Sequence, residues 1–327
     1  MRYSDWGERA PRWAGIRSES LHIDGADVHM LTADAAPEAP AGAPVHLLVH
    51  PMAGSATNWL DAIRPLTAHG RVIAPDLPGT IAGHTRAARG DAPRAGSNAL
   101  FLRAFTDALG LDRVVVHGWS MGGLVALLFA DLVPARVDGL VLVAPALPQP
   151  VPPADERFWN TAGRVLIAAG PPLARGLLRV TGRRLLDLKR DWYAGPEGRA
   201  PGGLDLLGGD PSRRSPETAA LWSDELAGMS PRRLGDGVSA LASAMSAMYV
   251  NRAPVHAVIG RLAAPTLLLW GDGDPLIERP LIDDLTARRP DWDLRVFASV
   301  GHLLPLEVPD DYAGAVAGWL ADRTRAV

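Results

Sequence analysis

Short apolar runs alternate with amphipathic stretches over the first 145 residues. Residues 45–49, 71–74, 114–116 and 137–143 are apolar at nearly every successive position and rich in β-branched side chains. They are too short for globular helices and predict strands buried on both faces. Residues 56–66, 98–109 and 123–132 read as the intervening helices; in the second, Phe101, Leu102, Phe105, Ala108 and Leu109 make one helical face. Residues 21–31 alternate on both sides of Asp24-Gly25, the pattern of a β-hairpin. Strands alternating with helices predict the α/β class, a mostly parallel central sheet flanked by helices.

The rhythm breaks after residue 145. Four prolines fall between Pro148 and Pro153, and helical segments at 158–169, 172–192, 216–229 and 238–250 follow, parted by glycine-rich spacers such as 200–203. The α/β rhythm resumes with strands at 265–270 and 293–297 and helices at 276–288 and 310–323; the last has Tyr312, Val316, Trp319 and Leu320 on one face. The expected organisation is an irregular surface arm (1–18) carrying Trp6 and Trp13, a core from 19–145 and 263–327, and an inserted helical lid, 146–262, after the sixth strand.

Composition narrows the classes. An apolar fraction of 47% and a charged fraction of 21% are those of a soluble globular protein. The net charge of −3 provides no basic field to recruit nucleic acid. Zero cysteines exclude disulfides, thiolate nucleophiles and cysteine metal sites together. The start, Met1 to Trp6, has charges and no apolar core, and no apolar run approaches the roughly 20 residues of a membrane span. A cytoplasmic protein without integral membrane association is expected.

Candidate chemistry begins at Gly118-Trp119-Ser120-Met121-Gly122, between the apolar run 114–116 and the helix 123–132. A serine in G-x-S-x-G sits on a sharp strand-to-helix turn with its hydroxyl pushed clear of the sheet. A glycine-rich connection with a purely structural role is the alternative.

With a strand before this motif and a helix after it, the chain resembles the α/β-hydrolase family of serine esterases and lipases, from about residue 20 onward apart from the insertion. The resemblance implies Ser120 as nucleophile, followed in chain order by an acid and a base at the ends of later strands. After the strand 265–270 comes Gly271-Asp272-Gly273-Asp274; the family's G-x-x-D pattern implies Asp274, with Asp272 as a turn residue bonding its own backbone. Gly301-His302 and the downstream Glu307-Val308-Pro309 resemble G-H-x-x-x-x-E-x-P and imply His302 as the base. Among the other histidines, His22, His29 and His46 read as structural, His117 as packed in its strand, and His69, His84 and His256 as solvated. The oxyanion hole is expected from the amides of Met121 and Met52. In the family's H-G-x loop this chain has His50-Pro51-Met52, and Pro51 has no N–H to give. Both cis and trans His50–Pro51 bonds fit the sequence, and the loop is faintly similar to that of type II thioesterases.

In this family an insertion after the sixth strand walls the substrate pocket. Trp119 and Pro51 beside the nucleophile, with Trp159 and Met245 from the lid, are the pocket candidates. Phe158, Trp192, Trp222 and Met248 add apolar character, and packing of the lid's own core is the alternative for each. The segment 173–189 sets Arg175, Arg179, Arg183, Arg184 and Lys189 among leucines. That suits a membrane surface, a carrier protein or coenzyme A phosphates, or simply a solvated face. The resemblance implies a cofactor-free, metal-free hydrolase that cleaves a small-molecule carboxylic ester or lactone with an apolar part through an acyl-enzyme. A thioesterase acting on acyl-CoA or carrier-bound acyl groups is the alternative, followed by a perhydrolase, C–C hydrolase or lyase. A non-catalytic binding protein on the same scaffold is the contrasting class.

Overall fold

The apolar runs assemble into one sheet. A computed structural model describes residues 3–52, 54–79, 83, 85, 94–194, 208–227 and 231–325. Its strands are β1 (Arg17–Ile23), β2 (Ala26–Ala33), β3 (Val45–Val49), β4 (Arg71–Pro75), β5 (Val114–Trp119), β6 (Val137–Val143), β7 (Thr266–Gly271) and β8 (Asp293–Phe297). They lie in the order β1-β2-β4-β3-β5-β6-β7-β8. The β1–β2 hairpin turns at Asp24-Gly25, both at positive φ, and β2 runs antiparallel to β4; every later pairing is parallel. β5 and β7 are buried at every position, as a sheet covered on both faces requires. His84 and the spacer 200–203 lie outside the described residues, as do the side chains of Arg179, Arg183, Lys189 and Trp192.

The helices are α1 (Leu60–Thr67), α2 (Ala95–Ala108), α3 (Met121–Leu132), α4 (Pro153–Phe158), α5 (Arg164–Ala194), α6 (Pro216–Ala227), α7 (Pro231–Met245), α8 (Arg252–Arg261), α9 (Arg279–Arg288), α10 (Leu304–Glu307) and α11 (Pro309–Arg325). Alternation along the strands divides the core in two. Val114, Val116, Leu140 and Leu142 face the layer of α2, α3, α8 and α9. Val115, Trp119, Val141 and Val143 face α1, α11 and the amino-terminal arm. No helix among the described residues is long and apolar enough to cross a membrane.

Two features depart from the sequence pattern. The arm is not a surface appendage: Trp6 and Trp13 are buried to 1% and 0% exposure within the second core layer. The Trp13 indole N–H donates to Asp61 on α1 at 2.7 Å, and the same carboxylate accepts the hydroxyls of Ser215 and Thr218 at 3.1 and 2.8 Å. One buried aspartate thus ties together the arm, α1 and the start of α6. The expected break between 169 and 172 is also missing, because α5 runs through Pro171 and Pro172. Proline's fixed φ is compatible with a helix, so the ring costs main-chain hydrogen bonds without forcing termination.

Beneath β5 runs a buried hydrogen-bond chain. His46 Nε2 meets the His69 carbonyl at 3.3 Å, His46 Nδ1 meets His117 Nε2 at 2.9 Å, and His117 Nδ1 meets the Tyr312 hydroxyl at 2.6 Å. A carbonyl only accepts, so His46 carries its proton on Nε2 and accepts at Nδ1 from His117 Nε2–H. His117 Nδ1 then accepts from Tyr312. Both rings are neutral in this arrangement, and a proton added to His46 Nδ1 would face the His117 Nε2–H. Burial lowers His46 to about 4 and His117 well below its ordinary value.

Folding stability should therefore be level above pH 6.5 and fall as pH drops from 6.5 towards 4. In that window the unfolded chain binds protons that the folded histidines refuse, at a limiting slope of ~1.4 kcal/mol per pH unit per histidine. Urea denaturation at pH 7, 6 and 5, where ordinary carboxylates stay ionised, measures it. An unchanged unfolding free energy would contradict the assignment.

Candidate active site

The loops at the carboxyl ends of β3, β5, β7 and β8 meet at one edge of the sheet. Ser120 lies between β5 and α3 at φ 55° and ψ −119°, a backbone region that non-glycine residues rarely occupy. Such a conformation costs about 1–3 kcal/mol and persists only where its surroundings enforce it. Here its N–H donates to the Val143 carbonyl, and its own carbonyl accepts from Gly123 and Ala146, all at 2.9 Å. The flanking glycines permit the crowding. A Cβ on Gly118 would stand 2.4 Å from the Gly122 carbonyl, and one on Gly122 would stand 2.3 Å from the Val49 carbonyl and 2.6 Å from that of His50. The first turn of α3 is thus pressed against the end of β3.

Asp274 and His302 come together from loops 28 residues apart in sequence. His302 Nδ1 lies 2.8 Å from Asp274 Oδ2, and the Asp274 side chain is fully buried. Its other oxygen accepts the amides of Leu276 and Ile277 at 2.8 and 3.0 Å, so the carboxylate has a donor on each oxygen. A carboxylate so placed accepts from Nδ1–H and leaves Nε2 as the free base. Asp272 does something else: it accepts the Ser299 amide at 2.6 Å, bracing the turn after β8 rather than its own backbone.

The His302 loop is held by two groups whose role has no local sequence signature. Glu307 accepts the Gly301 amide on one oxygen at 3.1 Å and the Leu303 amide on the other at 3.2 Å, bracketing the histidine. Burial pushes the Glu307 pKa up, and its backbone donors oppose that rise. The His302 amide itself donates to the Gly208 carbonyl at 2.6 Å. Gly301 leaves room for this contact, because a Cβ there would meet the same carbonyl at 2.4 Å.

Trp119 was expected on the pocket wall, and its position corrects that. Alternation along β5 turns it to the α1–α11 face, where it is 0% exposed and packs edge-on to Trp59 at 5.7 Å. Its indole N–H donates to the His302 carbonyl at 2.9 Å. The residue before the candidate nucleophile therefore anchors the candidate base.

The His50-Pro51-Met52 loop is set by its histidine. His50 Nε2 accepts the Leu77 amide at 3.0 Å, which places the proton on Nδ1, 2.9 Å from the Pro51 carbonyl. The Gly54 amide closes on the same carbonyl at 3.1 Å, and the His50–Pro51 peptide is trans. Burial lowers the His50 pKa, consistent with a neutral, structural ring. Met121 opens α3, so its amide has no carbonyl partner within the helix. Met52 and Met121 both pack into the core layer that includes Leu147, Met248, Tyr249 and Ile277.

In the lid, Trp159 and Tyr249 stack at 4.5 Å and 16°, each on a π-helical turn (Trp159–Gly163 and Ser246–Val250). Met245, at the end of α7, and Pro51 are partly exposed.

Elsewhere in the core Ser18, His29 and Asp76 form a hydrogen-bonded Ser–His–Asp row. Ser18 Oγ lies 3.2 Å from His29 Nε2, and His29 Nδ1 lies 2.8 Å from Asp76. Residue types and polarity match those around His302, but the setting does not. Ser18 is 4% exposed within β1, and its oxygen already accepts the Trp6 indole N–H at 3.0 Å. It lies in an ordinary strand, with no strained turn to present its hydroxyl. The row fastens the arm to β2 and β4.

Comparison with known proteins agrees with this architecture. A family model described as the alpha/beta hydrolase family matches residues 47–315. The 2-hydroxy-6-oxononadienedioate/2-hydroxy-6-oxononatrienedioate hydrolase of Cupriavidus pinatubonensis is 27% identical over 271 residues, 80% of this chain and 81% of that one. Its namesake from Klebsiella pneumoniae is 26% identical over 284 residues, 84% of this chain and 86% of that one. Among solved structures, a membrane phospholipase A is 26% identical with TM-score 0.61, covering 98% of this chain and 89% of that one. An epoxide hydrolase from Vigna radiata, at 19% identity and TM-score 0.67, covers 94% and 98% and shares the fold. The matched span, the sheet order and the serine turn between β5 and α3 together make this chain a member of the alpha/beta hydrolase family.

Proposed function

We propose that the chain is a serine hydrolase that cleaves a carboxylic ester or lactone with an apolar part through an acyl-enzyme. The observation that carries this reading is the His302 Nδ1–Asp274 pair, which leaves Nε2 as a free base at the same edge of the sheet as the strained turn of Ser120. A serine hydroxyl is a poor nucleophile at neutral pH until a base takes its proton. His302 Nε2 accepts that proton as Ser120 Oγ bonds to the substrate carbonyl carbon. Asp274 holds the ring in the correct tautomer and stabilises the imidazolium. The oxyanion takes hydrogen bonds from the amides of Met121 and Met52, each such donor worth roughly 10²–10³ in rate. As the carbonyl reforms, the alcohol leaves with the proton from Nε2. Water, deprotonated by the same nitrogen, then releases the acid and restores Ser120. The apolar surroundings of Met52 and Met121 support an apolar acyl or alcohol group.

Carbon–carbon bond hydrolysis is the second reading, motivated by the activity named for the relatives from Cupriavidus and Klebsiella. The same serine would attack a ketone carbonyl, with a stabilised carbanion as leaving group.

Turnover of p-nitrophenyl esters from acetate to decanoate, of acyl-coenzyme A and of a 2-hydroxy-6-oxo dienoic acid separates these readings. Esters should be the best substrates, improving with acyl length; preference for the dienoic acid would favour carbon–carbon cleavage, and for acyl-coenzyme A, thioester cleavage. On the preferred substrate, Ser120→Ala should lower kcat by about four orders of magnitude or more, and Asp274→Asn by about 10³–10⁴. Asp272→Asn should stay near wild type. Equal losses from the two aspartate variants would contradict the assignment of the acid.

A further inference from the structure

The insertion presents an apolar row that is exposed among the described residues. Leu166, Leu173 and Leu177 on α5 are 61%, 74% and 63% exposed, and Val165 and Phe158 beside them are 65% and 46% exposed. Steps of seven and four residues put the three leucines on one helical face. Gly170 belongs to the same row, and a Cβ there would meet only the Leu166 side chain, at 3.9 Å. A Cβ on neighbouring Gly176 would meet nothing within 4 Å. Another side of α5 packs on α7, where the Arg175 stem lies over Gly235 and its Nε donates to the Gly235 carbonyl at 3.3 Å. The leucine row therefore faces outward, away from the helix that supports it.

Charge identifies the occupant. Arg164–Ala194 holds seven basic and two acidic residues, a net charge of +5 in a chain whose total is −3. Arg184, seven residues beyond Leu177, continues the row and is exposed; Arg164 and Arg157 are exposed beside its other end. None of these three arginines has a carboxylate partner among the described residues. From Leu166 to Arg184 the row spans roughly 27 Å of helix. Two copies of a +5 helix would repel one another along such a seam, whereas an anionic surface neutralises it. Exposed leucines among unpaired arginines are the arrangement of a helix lying in a membrane interface, its apolar side chains in the acyl boundary and its guanidinium groups among the headgroups.

We propose that α5 docks the protein peripherally on an anionic lipid bilayer, with Leu166, Leu173 and Leu177 inserted and Arg157, Arg164 and Arg184 against lipid phosphates. This is independent of the chemistry assigned to Ser120. It turns the basic segment of the insertion into a membrane-facing surface.

Co-sedimentation with vesicles of phosphatidylcholine alone, or with phosphatidylglycerol added, tests it. The full chain should pellet with the anionic vesicles, weakly with neutral ones, and less as salt is raised. Leu173→Glu combined with Leu177→Glu should weaken binding at least about tenfold. Arg164→Glu and Arg184→Glu should each weaken it about fivefold on anionic vesicles only. Since all four positions are exposed, thermal unfolding should stay unchanged in the variants. Hydrogen exchange should show new protection over 166–184 when vesicles are added. Failure to bind anionic vesicles, or equal binding to neutral ones, overturns the proposal. So does a wild-type dimer by light scattering that the leucine variant converts to a monomer, since the row would then seat a second copy.

Discussion

The contact on which the site depends is the approach of the first turn of α3 to the end of β3. With Gly122 in place, the Val49 and His50 carbonyls come close enough that any Cβ would collide with them. Gly118 does the same between β5 and α3. This closeness accompanies the positive φ of Ser120 and presses the first turn of α3 against the end of the strand that leads into the Met52 loop. A larger residue at either glycine would lever α3 away from the sheet and relax the serine with it.

Around that fixed point, the other loops are positioned by polar groups from distant parts of the chain. Asp274 orients His302, Glu307 clamps the amides on either side of it, and Trp119 holds its carbonyl. His50 performs the matching service for the loop containing Pro51. The insertion is part of this frame: Gly208 accepts the His302 amide, and Glu225 on α6 accepts the Thr57 hydroxyl beyond the Met52 loop. Asp61 links the start of α6 to α1 and the arm. The arm, α1, α6 and the two loops are thus each tied to a neighbour by hydrogen bonds between distant parts of the chain.

Much of this was legible because the signals are local. The strands at 45–49 and 137–143 begin and end where their apolar runs do, and 293–297 has the bounds read from the sequence. The serine turn announces itself by glycine spacing, whereas Asp274 and His302 were singled out only through the resemblance of their loops to family patterns. What escaped has no local period. Trp6, Trp13 and Trp119 read as arm and pocket residues because a sequence does not show which face of the sheet a side chain will meet. The path of α5 through Pro171-Pro172 was missed because proline marks an unfavourable position, not an impossible one. Glu307 stood within a recognised motif, but its clamp on Gly301 and Leu303 is visible only once the loop is folded. The row of Ser18, His29 and Asp76 shows the converse: the right residue types can converge in a setting that presents no nucleophile.

That contrast makes the central claim directly testable. Treatment with a fluorophosphonate, followed by proteolysis and mass spectrometry, reports which serine is nucleophilic. The account predicts a single phosphonyl adduct on Ser120 and none in Ser120→Ala. An adduct on Ser18 with Ser120 unmodified, or no adduct on a folded wild-type chain, would contradict it.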